Sequence, residues 1–132
     1  MSTEITVADL QTAMPAQIKG KVTEELVDKL NNIAMDEEFR ENYRNNLISY
    51  TSVMQEGRFT IEQYLNAVRY VSFKVMGDTN IKAYMRTFPD KYSRFKAQGV
   101  ADKDIASYST AYNKSKLVNL IYDQSMIPTH VL

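Results

Sequence analysis

An all-α fold of about six helices accounts for these 132 residues: an N-terminal helical hairpin, then a three-helix unit of the helix-turn-helix kind. Three observations carry that reading. Apolar residues recur at spacings of three and four through most of the chain, the period of an amphipathic helix. Residues that cap helix N-termini stand directly before those runs: Thr23, Asp36, Thr60, and Asp78 or Thr79. The stretch 60–87, TIEQYLNAVRYVSFKVMGDTNIKAYMRT, reads as a long helix, a tight turn at Gly77-Asp78 and a short helix, the front half of a helix-turn-helix.

Residues 1–20 carry the weakest pattern. Ile5, Val7 and Leu10 suffice for one short turn, and Pro15 and Gly20 interrupt the remainder, so the segment is expected to be a flexible arm. Residues 21–132 are expected to form a single helical domain with an acidic hairpin over 21–56, a basic region over 57–125 and a tail over 126–132. In the hairpin, Thr23 caps a helix with Glu24 and Glu25 in its first turn, where negative charge complements the helix dipole. Val22, Leu26, Val27, Leu30 and Ile33 form its apolar face, and its end is expected near Met35. Asp36 caps a second helix, with Phe39, Tyr43, Leu47, Tyr50 and Met54 as a continuous stripe and Glu56-Gly57 as its close. Arg40, Asn42, Arg44 and Asn45 are expected to face out. The short connection implies that these two helices pack antiparallel.

Thr60 with Gln63 fits a capping box for the third helix. Its buried stripe is expected to be Ile61, Leu65 or Tyr64, Val68, Val71 and Val75. So many β-branched residues lower helix propensity, so tertiary packing must hold the helix. A strand over 68–75 is the alternative, disfavoured by the three-four spacing from Ile61 onward. Gly77 ends the helix, and the next buries Ile81, Tyr84, Met85 and Phe88. Pro89 ends that one, because Phe88 is biased out of the helical region, and then suits the first position of a helix over 90–98 that turns Tyr92 and Phe95 inward. Gly99 stops it. A last helix runs from Ala101 or Asp102 to about Ser125, with Ile105, Tyr108, Tyr112, Leu117, Leu120 and Ile121 on its apolar face. The apolar, proline-containing tail 126–132 favours either docking on a neighbour or, preferably, a native chain that continues beyond Leu132.

Composition narrows the chemistry. The chain is 44% hydrophobic and 24% charged, as in a globular domain. It has no cysteine, which removes disulfides and thiolate metal sites and suits a reducing compartment; a cytoplasmic location is expected. No apolar run approaches the roughly 20 residues of a membrane span, and the N-terminus lacks the basic start and apolar core of a signal peptide. The single histidine, His130, has no cysteine to join it at a metal. Phosphate-binding, dinucleotide and nucleophile-elbow motifs are all missing. The carboxylates of Glu24-Glu25 and Asp36-Glu37-Glu38 sit where helix starts want negative charge. No catalytic residue, metal or cofactor is therefore expected, and the protein is read as a non-enzyme.

Charge supplies the functional signal. Net charge is zero, yet residues 1–56 hold five Lys/Arg against ten Asp/Glu, whereas residues 57–116 hold eleven against five. Such asymmetry marks a binding face, or merely chance or pairing between the halves. In a three-helix DNA-binding unit a long helix braces a short one and a third lies in the major groove. Here 60–76 is the long helix and 79–88 the short one. The third is either 90–98, carrying Lys91, Arg94 and Lys96, or 102–116, carrying Lys103, Ser107, Asn113, Lys114 and Lys116. Arg86 ends the short helix within reach of the backbone nearby. The candidate double-stranded DNA contacts are thus Arg86, Lys91, Arg94, Lys96, Lys103, Lys114 and Lys116, with phosphate neutralisation by the cations and base reading by Asn and Arg. Most of the nine tyrosines fall on apolar stripes, which argues for core packing over base stacking; Tyr70 and Tyr122 are the two that do not.

The run YLNAVRYVSFKVMGDTNIKAYMRTFP, followed by SRFKAQGVADKDIASYSTAYNKSKLVNLI, resembles the small terminase subunits of tailed bacteriophages. In that family a helix leads through a Gly-containing turn to a short helix with a core pair of a small residue and an aliphatic or aromatic one, then a second turn and a further helix; Gly77, Ala83-Tyr84 and Phe88-Pro89 stand in those places, and the likeness spans about residues 60–125. The resemblance implies a non-catalytic DNA-packaging protein of the host cytoplasm. Such a protein recognises the viral packaging site, assembles as a homo-oligomeric ring and recruits the large terminase subunit, which holds the ATPase and nuclease. Two other readings stay open: a helix-turn-helix transcriptional regulator acting as a dimer, and a structural or adaptor protein whose basic face is incidental.

Overall fold

The computed structural model describes residues 4–33, 36–55 and 58–125. Among these residues all regular structure is helical: α1 Val7–Ala13, α2 Ala16–Lys19, α3 Glu24–Asn31, α4 Glu37–Ser49, a 3₁₀ turn at Thr51–Met54, α5 Ile61–Val75, α6 Asn80–Thr87, α7 Pro89–Ala97, α8 Asp102–Asn113 and α9 Lys116–Ser125. The all-α class holds, with nine helices among the described residues rather than about six. The chain divides into two compact units, Met1–Val68 and Arg69–Leu132, and α5 runs through the division.

In the first unit the segment expected to be a flexible arm is packed. Thr6 and Asp9 form a capping box at the start of α1, each side chain accepting from the other's backbone N–H. Ile5, Leu10, Met14 and Ile18 are buried. Asn31 fastens the segment: its side-chain oxygen accepts from the Ile5 N–H at 2.9 Å and its amide donates to the Ile5 carbonyl at 2.8 Å. Arg44 on α4 donates to the Asp9 carboxylate at 3.1 Å. The short apolar pattern of residues 5–18 does not announce this packing, because two of its anchors lie 26 and 35 residues away.

Thr23 and Asp36 cap α3 and α4 as expected, accepting from the N–H groups of Leu26 and Phe39. α3 ends at Asn31, short of the expected Met35, which lies outside the described residues. α4 packs on α1. Phe39, Tyr43, Leu47 and Met54 are buried as the stripe requires, but Met54 arrives through the 3₁₀ turn, since the α-helix stops at Ser49. Glu56-Gly57 lies outside the described residues. Arg40 and Arg44 are half-buried, because both are drawn back onto the unit, Arg40 by the Asn31 carbonyl and Arg44 by Asp9.

Thr60 and Gln63 form the expected capping box of α5. The helix is apolar well beyond one stripe: Tyr64, Ala67, Val68, Tyr70 and Val71 are all fully enclosed. Such a helix cannot stand alone in water and must be wrapped by its neighbours. Val75 departs from the expected stripe, being 64% exposed in the final turn, just before Gly77 leaves the helix with φ +110°. The strand alternative for 68–75 is excluded, as these residues are helical.

In the second unit Thr79, rather than Asp78, caps α6 by accepting from Lys82 N–H. Pro89 opens α7, joined to α6 through Phe88 alone, and Gly99 closes it at φ +75°. α8 packs closely on α6, and α7 lies against α6 with no residue of its own fully buried. The expected single last helix is two helices, broken at Lys114-Ser115. Asn119 holds the break, its side-chain amide donating to the carbonyls of Asn113 and Ser115. The tail 126–132, with His130, lies outside the described residues.

Candidate nucleic-acid interface

The structural division coincides with the charge division. The first unit, Met1–Val68, has six Lys/Arg against eleven Asp/Glu, a balance of −5; the second, Arg69–Leu132, has ten against five, a balance of +5.

Within the second unit an aromatic core positions the surface. Tyr112 of α8 meets Tyr70, Tyr84 and Phe88 edge-on at ring-centroid distances of 5.0, 5.8 and 5.1 Å. Asn113 then accepts two hydroxyl hydrogen bonds on one oxygen, from Tyr70 at 2.9 Å and Tyr122 at 3.0 Å. The two tyrosines that fall off the apolar stripes are thus tied to one asparagine. Tyr70 is fully buried, and burial lifts its pKa above the usual tyrosine range. Burial likewise raises Tyr122 to about 12. Asn113, a base-reading candidate from sequence, instead uses its side-chain oxygen to join α5, α8 and α9.

The seven candidate cations separate into two groups. Arg86 and Lys96 are committed internally. The Arg86 guanidinium donates to Asp78 at 2.9 Å and lies 4.1 Å from the centre of the Phe73 ring. Its carbonyl accepts from the buried Arg69, which pins the end of α6 to α5. Lys96 donates to Asp102 at 2.7 Å and so clips the end of α7 to the start of α8; that hydrogen bond holds its pKa above the usual lysine range. Lys91, Arg94, Lys103, Lys114 and Lys116 are exposed and have no ion-pair partner among the described residues. Lys91 rests 5.3 Å from the Phe88 ring centre, near the upper limit of a cation–π contact.

The turn expected at Gly77-Asp78 is the α5–α6 connection, residues 76–79, with Gly77 in the left-handed region. The α6–α7 junction is Phe88 alone, shorter than the three- or four-residue turn of a helix-turn-helix, whereas the α7–α8 connection, residues 98–101 with Gly99 in the left-handed region, has that length. The 102–116 candidate is dispersed: Lys103 lies in the first turn of α8, Lys114 in the break and Lys116 at the start of α9. Asp102 and Asp104 make the start of α8 acidic. α7, with Lys91 and Arg94, is the more uniformly basic of the two helices.

The first unit offers a rival hollow beside α3, lined by Glu24, Glu25, Asp28, Lys29, Asn32 and Ile33. Its glutamates belong to the first turn of the helix, where they complement unpaired N–H groups. Among the described residues no three His, Cys, Asp or Glu side chains come together as metal ligands, and no helix is long and apolar enough to cross a membrane. Comparison with protein-family models, with characterised proteins and with solved structures finds no match.

Proposed function

We propose that the second unit binds double-stranded DNA without acting on it chemically. The observation that carries this reading is a set of five exposed cations, Lys91, Arg94, Lys103, Lys114 and Lys116, without acidic partners among the described residues, on a unit of balance +5. Unpaired surface cations gain little within a protein, but each phosphate they neutralise releases a condensed counterion. In this reading the aromatic core around Tyr112 sets the three helices, and α7 and the Lys114–Lys116 break present the charge. The finer role, a small terminase subunit that assembles as a ring and hands packaging-site DNA to a large terminase, is supported by the sequence resemblance over residues 60–125.

Fluorescence anisotropy of a labelled duplex across a salt series tests the reading. Binding is expected at low salt, with affinity falling by about 10³ or more between 50 and 200 mM if six or more phosphates are contacted, and by less for fewer. No binding at low salt would overturn it. Native mass then separates the finer roles: a closed ring supports the packaging subunit, and a dimer supports a regulator reading paired half-sites.

A further inference from the structure

Helical spacing assigns Tyr108 to the apolar face of the last helix, yet it is 48% exposed. Its ring stacks on Phe95 of α7, with centroids 5.1 Å apart and planes 30° from parallel. Phe95 therefore covers one side of the ring, and nearly half of the residue is open to solvent. Phe88, at the junction before α7, meets Tyr112 one turn further along α8.

The surroundings of this pair are polar and positive. Lys91 stands one helical turn before Phe95 and Arg94 is next to it, both exposed and without an ion-pair partner among the described residues. Gln98 and Ser107 are exposed as well. Asp104, one turn before Tyr108, places a negative charge on the α8 side, so an anionic strand would run along α7. A backed aromatic ring within a cationic, otherwise polar surface suits a nucleobase better than an apolar protein partner, because every base has a π-face and a phosphate attached to it.

We propose that Tyr108, backed by Phe95, is a stacking platform for an unpaired base, with Lys91 and Arg94 on the adjoining phosphates. The ligand class is DNA that presents a base outside the duplex, such as an overhang or a gap. The inference rests on the DNA-binding reading above and adds a preference to it.

The test compares a blunt duplex with the same duplex carrying a short overhang that contains a fluorescent adenine analogue. The full chain is expected to bind the overhang duplex about tenfold more tightly and to quench the analogue on binding. Tyr108→Ala should lose both the quenching and the preference while keeping its affinity for the blunt duplex; Tyr108→Phe, which retains the π-face, should keep all three. Equal affinity for the two ligands with no quenching by the unmodified chain overturns the platform and leaves duplex binding standing. Binding of neither ligand at low salt overturns both. Should Tyr108→Ala fail to fold, quenching by the unmodified chain decides alone.

Discussion

Tyr43 and Tyr64 each donate a hydrogen bond to the other's helix: the Tyr43 hydroxyl reaches the Leu65 carbonyl at 2.8 Å, and the Tyr64 hydroxyl reaches the Leu47 carbonyl at 2.7 Å. Both side chains are fully buried. The exchange locks α4 against the first half of α5 in register and rotation, and it gives the Leu47 carbonyl, in the last turn of α4, a partner that such carbonyls often lack within the helix. Removal of the Tyr64 hydroxyl leaves the Leu47 carbonyl short of a partner, and removal of the Tyr43 hydroxyl takes a second partner from the Leu65 carbonyl inside α5. Tyr43→Phe and Tyr64→Phe should each lower stability by about 1–2 kcal/mol, read from urea unfolding of the full chain. The double variant should cost less than the two together if the bonds support one another.

Asn113 should be the more sensitive position. Asn113→Ala strips the acceptor from both Tyr70 and Tyr122 and is expected to cost about 2–4 kcal/mol, two unsatisfied hydroxyls of about 1–2 kcal/mol each. Tyr122→Phe removes one donor and should cost about 1 kcal/mol. Thermal unfolding followed by near-ultraviolet circular dichroism, which senses the packed rings around Tyr112, checks both.

The Asp9–Arg44 contact predicts an acid-sensitive first helix. The hydrogen bond from Arg44, aided by those from Thr6, holds the Asp9 pKa below its ordinary value, against the opposing effect of burial. A depressed carboxylate pKa contributes stability that is present above the unfolded value, near 3.8, and is lost as pH falls through the folded one. Protection of the α1 amides against hydrogen exchange should therefore weaken below about pH 4. Asp9→Asn should weaken it at neutral pH by about 1 kcal/mol, the scale of a partly exposed ion pair plus a helix cap, and should flatten the acid response.

Charge reversal distinguishes the candidate DNA contacts. Lys91→Glu with Arg94→Glu should weaken duplex binding strongly and reduce the salt slope by about 0.9 for each phosphate no longer neutralised, with helicity unchanged. Lys114→Glu with Lys116→Glu tests the α8–α9 break in the same assay. Arg86→Ala should act differently: it leaves Asp78 with only the longer Lys82 contact at 3.9 Å and uncovers Phe73, so its first effect is on stability. An unfolding measurement beside the binding curve separates the two.

Local chemistry is readable in the sequence. Thr23, Asp36, Thr60 and Thr79 cap their helices because a side-chain oxygen needs only an N–H three residues away, and Gly77 and Gly99 mark turns because their φ angles are costly for other residues. The acidic front and basic back are likewise visible as counts. The candidate site is legible as a list of cations but not as a surface. Whether Arg86 and Lys96 are free depends on Asp78 and Asp102, and a charge count has no information about which carboxylate a flexible side chain will reach.

The order of amino acids was enough to set the all-α class, the capped starts of α3, α4, α5 and α6 and the charge polarity, since each follows from residues within a turn or two of one another or from simple counts. The remaining outcomes waited on tertiary packing. It ordered residues 5–20 through Asn31 and Arg44, buried Tyr70 and exposed Tyr108. Two of those outcomes turn on contacts between partners 26 to 43 residues apart, whose meeting no local pattern encodes. Helical periodicity assigns a residue to a face, but the neighbouring helix decides whether that face is covered.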